Sequence, residues 1–111
     1  LDPVEVQRVV VNLLENALHW VADRPERLVR VEMARPDPTT VSVTVSDSGP
    51  GVPEENREAI FEPYFTTRPD GSGLGLAIAG TLLSDYYNGH LELVDGELPG
   101  ASFRATFRRR S

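Results

Sequence analysis

The spacing of apolar residues changes several times along the chain, and this change constrains the fold more than any other feature. Over residues 3–23 apolar side chains recur at steps of three and four, which predicts an amphipathic helix. Residues 29–33 and 41–45 alternate apolar and polar side chains, which is typical of half-buried strands. Residues 35–39 between them are rich in turn formers, so the two strands are predicted to form a hairpin with one face on a core.

The second half of the chain repeats this order of patterns. A short helix is predicted over residues 54–61, and a longer one over 76–87 that ends at Asn88 and Gly89. Strands are predicted around residues 91–93 and 101–107. Helices and strand pairs are therefore segregated rather than alternating, which excludes a doubly wound fold. The pattern predicts an α+β fold, a two-layer α/β sandwich in which helices cover one face of a mixed β-sheet.

Composition excludes several classes of function. A chain of 111 residues fits one domain, and 40% hydrophobic with 25% charged residues is ordinary for a globular protein. A net charge of −6 argues against a nucleic-acid partner. The absence of cysteine excludes disulfides and zinc–thiolate sites. Every basic residue is arginine, so a basic contact to phosphate must come from an arginine, from His19 or from His90.

Two asparagines are prominent in the predicted first helix. Asn12 and Asn16 are four residues apart, so their amides share one face, and Glu15 and His19 share an adjacent face. Asparagine is not favoured inside helices. The pair is therefore interpreted either as exposed amides without a ligand or as oxygen ligands for a hard cation such as Mg²⁺, which keeps waters and nucleotide phosphates in its shell.

Two glycine-rich loops follow. Residues 47–51 (Asp-Ser-Gly-Pro-Gly) come directly after a predicted strand, and they are either a plain turn or a loop that presents a carboxylate to a flat ligand. Residues 71–76 open a helix, where backbone N–H groups can hold an anion. This second loop lacks the Gly-Lys-Ser/Thr of a Walker A loop and does not follow a strand, which excludes a Rossmann fingerprint. Arg68 lies close enough to add a bidentate phosphate contact.

Taken together, these segments resemble the ATP-binding catalytic domain of sensor histidine kinases, within the superfamily of gyrase-like, chaperone-like, kinase and mismatch-repair ATPases. Residues 12–20 resemble its N box, 47–51 its first glycine box, 60–65 its F box and 71–76 its second glycine box. Residues 100–103 resemble a weaker last glycine segment. The resemblance covers nearly the whole chain, 1–111, and implies the Bergerat-type ATP-binding fold.

The resemblance also implies roles for individual residues. Asn16 is expected to hold Mg²⁺ on the ATP phosphates, with Asn12 beside them. Asp47 is expected to accept a hydrogen bond from the adenine amino group, while Gly49 and Gly51 let the base approach. The residues that the resemblance assigns to ATP are Asn12, Asn16, His19, Trp20, Asp47, Gly49, Gly51, Phe65, Arg68, Gly71, Ser72, Gly73, Leu74 and Gly75.

Three further expectations concern catalysis. Asn16 and Glu15 are the expected catalytic residues, with Glu15 orienting the incoming nucleophile or water. Residues 66–72 are the expected lid, with Arg68 near the phosphates. His19 stands where the family often has a basic residue that reaches the phosphates, and a neutral imidazole neutralises less charge.

The resemblance implies that the γ-phosphoryl group of ATP passes to a histidine on a separate dimerisation helix and then to a response regulator. Neither His19 nor His90 fits the role of acceptor, so that region and the family's first strand are expected to lie outside this chain. We expect a cytoplasmic location, a monomeric fragment and a homodimeric full-length protein. The alternatives are a related superfamily ATPase and a nucleotide-binding interaction domain without transfer activity, which the presence of His19 motivates.

Overall fold

The computed structural model describes residues 3–61 and 75–108. In chain order the elements are α1 (Pro3–Val21), β1 (Val29–Asp37), β2 (Thr40–Asp47), two single 3₁₀ turns (Glu54–Asn56 and Ala59–Phe61), α2 (Gly75–Tyr87), β3 (His90–Val94) and β4 (Ser102–Arg108). The four strands form one sheet in the order β1-β2-β4-β3. The predicted α+β sandwich is thereby confirmed.

The sheet is built from two hairpins. All three pairings among the described strands are antiparallel. The reason is that β1–β2 and β3–β4 are both hairpins, and these hairpins meet through an antiparallel β2–β4 pairing.

The core lies between the two long helices and one face of the sheet. In α1 the fully buried residues recur every four positions, within the face where apolar side chains recur at steps of three and four. Opposite them lie β2 and β4 side chains that share a face because they are register partners, such as Val45 and Phe103. The buried hydrophobic core comprises Val9, Leu13, Ala17, Val43, Val45, Ala79, Leu83, Tyr87, Ala101, Phe103, Ala105 and Phe107. Truncating a fully buried leucine such as Leu13 to alanine typically costs about 2–5 kcal/mol, so this stripe holds α1 on the sheet.

The opposite face of the sheet is polar. Ser46 and Ser102 lie directly across from each other, and their hydroxyl oxygens are 2.8 Å apart. Arg104 lies next along β4, 3.7 Å from the carboxylate of Glu92 on β3. Because α1 and α2 pack on the apolar face, the described helices are all on one side of the sheet, as predicted.

Two local features depart from the sequence pattern, and the end of α2 agrees with it. The first hairpin turn is shorter than predicted, because β1 continues to Asp37 and the Asp37 carboxylate accepts hydrogen bonds from the Thr39 N–H and hydroxyl at 2.9 Å each. The predicted helix over 54–61 is two separate 3₁₀ turns. At the end of α2 the left-handed residue is Asn88, with φ of 48°, and the N–H of the following Gly89 donates to the Leu83 carbonyl at 2.9 Å.

Within the described residues, neither helix is long and apolar enough to cross a membrane.

Candidate functional site

The candidate site is centred on Asp47, the last residue of β2. Along this strand Val43, Val45 and Asp47 alternate onto the face that the helices cover, so the carboxylate is only 1% exposed. The backbone fixes the strand end, since the Asp47 N–H donates to the Ala101 carbonyl at 2.9 Å and the Gly100 N–H donates to the Asp47 carbonyl at 3.0 Å. A single carboxylate is thus held at the end of the buried face.

The orientation of this carboxylate is fixed as well. Its Oδ1 atom accepts hydrogen bonds from the N–H groups of Gly49 at 2.9 Å and Ala101 at 3.2 Å. Burial raises the pKa of Asp47, and the two backbone hydrogen bonds act in the opposite direction without cancelling it. A desolvated acceptor of this kind makes stronger hydrogen bonds than one in water.

Glycines surround the carboxylate because no side chain fits there. A Cβ at Gly49 would lie 2.9 Å from the Asp47 Oδ1 and 3.1 Å from both the Cβ and the carbonyl oxygen of Trp20. A Cβ at Gly100 would collide with the same Oδ1 atom. Gly51 has φ of +79°, a backbone conformation that side chains disfavour. Each of these glycines is therefore required by a contact or a backbone angle.

The end of α1 packs against this loop. Trp20 is half-buried, and its Cβ and carbonyl oxygen leave no room for a side chain at Gly49, while the His19 ring packs edge-on against the Trp20 ring with centroids 5.1 Å apart. Asn12 and Asn16 are also half-buried, and Glu15 is exposed. The structure thus brings Trp20 and His19 to the Asp47 loop and places the two asparagines one and two turns back along the same helix.

Two features of this site were missed in the sequence. The Ser48 hydroxyl accepts from the Leu28 N–H and donates to the Glu26 carbonyl, each at 2.9 Å, so it ties the connection before β1 to the loop after β2. The Ala101 N–H is the other missed contact. Serine after aspartate is a signal of a turn, but no sequence pattern identifies a partner twenty residues away.

A cleft of about 220 Å³ adjoins the site and shares Gly100 and Ala101 with it. Val52 and Leu93 supply apolar walls, and Arg57 adds a positive charge. In the residues the structure describes, no three histidine or carboxylate side chains converge to hold a metal. A cation here would therefore need amide oxygens together with ligands that a bound molecule brings.

Part of the predicted site lies outside the described residues, namely Phe65, Arg68, Gly71, Ser72, Gly73 and Leu74. Gly75 is the first residue of α2. From the F-box segment, Phe61 is described, and its ring packs edge-on against Phe103 at 6.1 Å between centroids. The assignments around the phosphates remain predictions.

Comparisons with known proteins agree with this arrangement. The family model "Histidine kinase-, DNA gyrase B-, and HSP90-like ATPase" matches residues 1–111. The sensor histidine kinase ZraS of Salmonella typhimurium is 37% identical over 102 residues, which are 92% of this chain and 21% of ZraS. The C4-dicarboxylate transport sensor protein DctB of Rhizobium meliloti is 34% identical over 106 residues, which are 96% of this chain and 17% of DctB. The chain thus spans about a fifth of the length of these relatives.

Solved structures give the same result. The catalytic domain of histidine kinase ThkA, in a nucleotide-free form, superposes with a TM-score of 0.83 at 31% identity, covering 97% of this chain and 68% of that one. The mycobacterial sensor histidine kinase MprB gives a TM-score of 0.81 at 31% identity, covering 99% and 74%. The chain belongs to the histidine kinase-, DNA gyrase B- and HSP90-like ATPase family, as a domain of the sensor histidine kinase type.

Proposed function

We propose that this chain is the ATP-binding catalytic domain of a sensor histidine kinase, which binds ATP with Mg²⁺ and donates the γ-phosphoryl group to a histidine outside this chain. The acceptor histidine lies on a dimerisation region, and a response regulator then receives the phosphoryl group from that histidine. The observation that carries the proposal is the buried Asp47 carboxylate, held by two backbone N–H groups in a cradle of glycines.

Asp47 selects the base. Adenine presents an amino group, a hydrogen-bond donor, at the position where guanine presents a carbonyl oxygen. A fixed and desolvated carboxylate accepts a bond from adenine and leaves guanine with two opposed acceptors, so ATP is preferred over GTP. Gly49, Gly51 and Gly100 keep this pocket free of side chains, and Trp20 lies beside it.

The polar face of α1 holds the phosphates. With a rise of about 1.5 Å per residue, Asn16 lies about 6 Å and Asn12 about 12 Å along the helix from Trp20. The two amides therefore extend from the base pocket in the direction that a triphosphate would take. An amide oxygen of Asn16, with phosphate oxygens and waters, suits Mg²⁺, which neutralises phosphate charge when bound.

The remaining assignments concern phosphoryl transfer, which depends on positioning and charge neutralisation more than on covalent help from the protein. Glu15, exposed beside Asn16, orients the nucleophile, and His19 contacts the phosphates as a hydrogen-bond donor. Arg68 and the backbone of residues 71–75 complete the phosphate contacts from the lid.

The test of the nucleotide site is calorimetric titration with ATP and GTP, with and without Mg²⁺, of the wild type and Asp47→Asn. An amide keeps the size of the side chain but puts a donor in place of an acceptor, so ATP affinity should fall by about tenfold or more. Asp37→Asn is the matched control, because Asp37 is exposed in the distant hairpin turn. Equal binding of ATP and GTP, or equal affinity in Asp47→Asn, would contradict the assignment.

Transfer is tested separately, with labelled ATP and a supplied acceptor helix that carries a histidine. Label on the helix supports a kinase. Release of phosphate without the helix at the same rate would indicate a related ATPase instead, and binding with neither activity would indicate an interaction domain.

A further inference from the structure

The cleft beside the candidate site has its own set of lining residues. They are Val52 and Arg57, which follow the Asp47 loop, and residues between Leu93 and Ala101, which include the β3–β4 connection. Neither Asp47 nor any residue of α1 lines the cleft. Its volume of about 220 Å³ is below the range of about 300–1,000 Å³ that is typical of pockets for drug-sized ligands. The cleft is therefore too small to enclose a nucleotide and suits a smaller ligand.

The β3–β4 connection is fastened at three points, which keeps the cleft open. A Cβ at Gly96 would collide with the Ser102 hydroxyl oxygen, so the backbone lies directly on the sheet there. Glu97 forms a salt bridge with Arg30 of β1 at 2.7 Å. The Gly100 N–H donates to the carbonyl of the last residue of β2 at 3.0 Å. The cleft is thus largely preformed, as sites for small ligands usually are.

Three kinds of recognition group meet in this cleft. Val52 and Leu93 pack against the core and supply apolar walls. Arg57 and Asp95 are both exposed and carry opposite charges, yet within the described residues neither forms a salt bridge with the other or with a third residue. The backbone N–H groups of residues 95–98 donate to no described backbone carbonyl. The cleft therefore offers a cation, an anion and free backbone donors beside an apolar surface.

We propose that the cleft binds a small zwitterion with an apolar body, of the class of the aliphatic α-amino acids. The ligand carboxylate is a bidentate partner for the Arg57 guanidinium, and the ligand ammonium pairs with Asp95. The apolar body covers Val52 and Leu93. A ligand with both charges satisfies two groups that the protein leaves apart, whereas a ligand with one charge leaves the second group without a partner. This proposal does not rest on the proposed function.

The floor of the cleft connects it to the candidate site. Gly100 and Ala101 line the cleft, and the Ala101 N–H donates to the Asp47 Oδ1 at 3.2 Å. A ligand in the cleft therefore restrains the strand end that orients the carboxylate. If the proposed function holds, the ligand should change ATP affinity by a limited factor, and ATP should change the affinity for the ligand by the same factor.

Titration with L-leucine tests the site, followed by the NMR amide shifts of the isotope-labelled chain without nucleotide. We expect saturable shifts at Gly96, Gly100 and Ala101, with a Kd of about 1 mM or lower. Isocaproate lacks the ammonium group and isoamylamine lacks the carboxylate, so each should bind at least about tenfold more weakly. No saturable shift with leucine up to about 50 mM, or equal binding of leucine and isocaproate, would overturn the proposal.

Two neutral variants test the roles of the charges. Arg57→Gln and Asp95→Asn should each weaken leucine binding by about tenfold, because each removes one partner of the zwitterion. Both side chains are exposed, so the fold should persist. Arg24→Gln is the matched control, because Arg24 is exposed in the connection after α1 and does not line the cleft. Unchanged leucine binding in both cleft variants would also overturn the proposal.

Titration of ATP at increasing leucine concentration separates the cleft from the nucleotide site. If both ligands bind together, the change in ATP affinity levels off once leucine saturates its site. A loss of ATP affinity that continues in proportion to the leucine concentration would show direct competition and overturn the assignment of a second site. A chain that binds leucine but no ATP would contradict the proposed function and leave the zwitterion site supported.

Discussion

The Asp47 loop and the polar face of α1 both belong to the proposed nucleotide site, but they are built in opposite ways. Asp47 is buried, bonded to backbone N–H groups and enclosed by glycines. Asn12 and Asn16 are half-buried, and Glu15 is exposed on a helix whose other face anchors it. A change in the loop should therefore alter stability and binding together, whereas a change on the helix face should alter binding alone.

Gly100→Ala should give the largest loss of stability. Its Cβ would collide with the Asp47 Oδ1, and forcing an atom into a packed site costs about 1–3 kcal/mol. Urea denaturation measures the loss. Gly80→Ala is the control, because a Cβ there meets nothing within 4 Å and alanine favours the helix, so this variant should gain about 0.5–1 kcal/mol. Equal stability of the two variants would contradict the expectation that the Asp47 loop has no room for an added methyl group.

Ser48→Ala should cause the second-largest loss of stability. It removes one acceptor and one donor at 2.9 Å each and leaves the Leu28 N–H without its side-chain partner. An unsatisfied buried group costs about 1–3 kcal/mol, and partial exposure here favours the lower end. Denaturation reports the loss, and exchange of the Leu28 amide with deuterium should accelerate. An unchanged exchange rate would show that the hydroxyl does not hold this connection.

Asp47 should also make stability depend on pH. Burial raises its pKa above the ordinary value of 3.8, so the native state holds the proton more tightly than the unfolded chain. The free energy of unfolding of the wild type should therefore fall, relative to Asp47→Asn, as pH rises above about 3.8. Hydrogen bonds from Thr39 lower the pKa of Asp37, so its contribution is lost only below 3.8. Denaturation from about pH 4 to about pH 7 measures the free energy of unfolding. The difference between the wild type and Asp47→Asn should change with pH over this range, and the difference between the wild type and Asp37→Asn should not.

Asn16→Ala should change stability least. Alanine is the better helix former by about 0.6 kcal/mol, so the variant should be as stable as the wild type or slightly more stable. ATP affinity should lose its dependence on Mg²⁺, which calorimetry measures directly. Gln7→Ala, exposed on the same helix, should keep that dependence. A loss of stability in Asn16→Ala would show that Asn16, like the Asp47 loop, contributes to stability as well as to binding.

Most of the fold follows from short-range patterns. The helical stripe of α1 and the alternation in β2 and β4 predict the elements and their buried faces, because the period alone decides which side chains share a face. The order of the strands in the sheet depends on long-range pairing, which these periods do not encode. Asn88 takes the left-handed position at the end of α2, and residue 89 is glycine because a Cβ there would collide with the carbonyl of Thr106 on β4.

The residues of the candidate site also divide into those that a local sequence pattern predicts and those whose roles depend on distant partners. Asp47, Gly49 and Gly51 were predicted from their motif, and the structure supplies the reason for each glycine. The roles of Ala101 and Ser48 depend on partners 20 or more residues away, where no periodicity applies. The residues of the lid were predicted from their resemblance to a known box and lie outside the described residues.

The Ser48 hydroxyl has a mechanical consequence. It fastens the connection that precedes β1 to the loop that follows β2, so the same hydroxyl holds the start of β1 and the loop of the proposed nucleotide pocket. A fluctuation that peels the start of β1 from the sheet must also release Ser48, next to Asp47. A ligand that reduces the motion of the proposed pocket should therefore also lower the conformational entropy of the start of β1. Conversely, local unfolding of the start of β1 should increase the motion of the pocket.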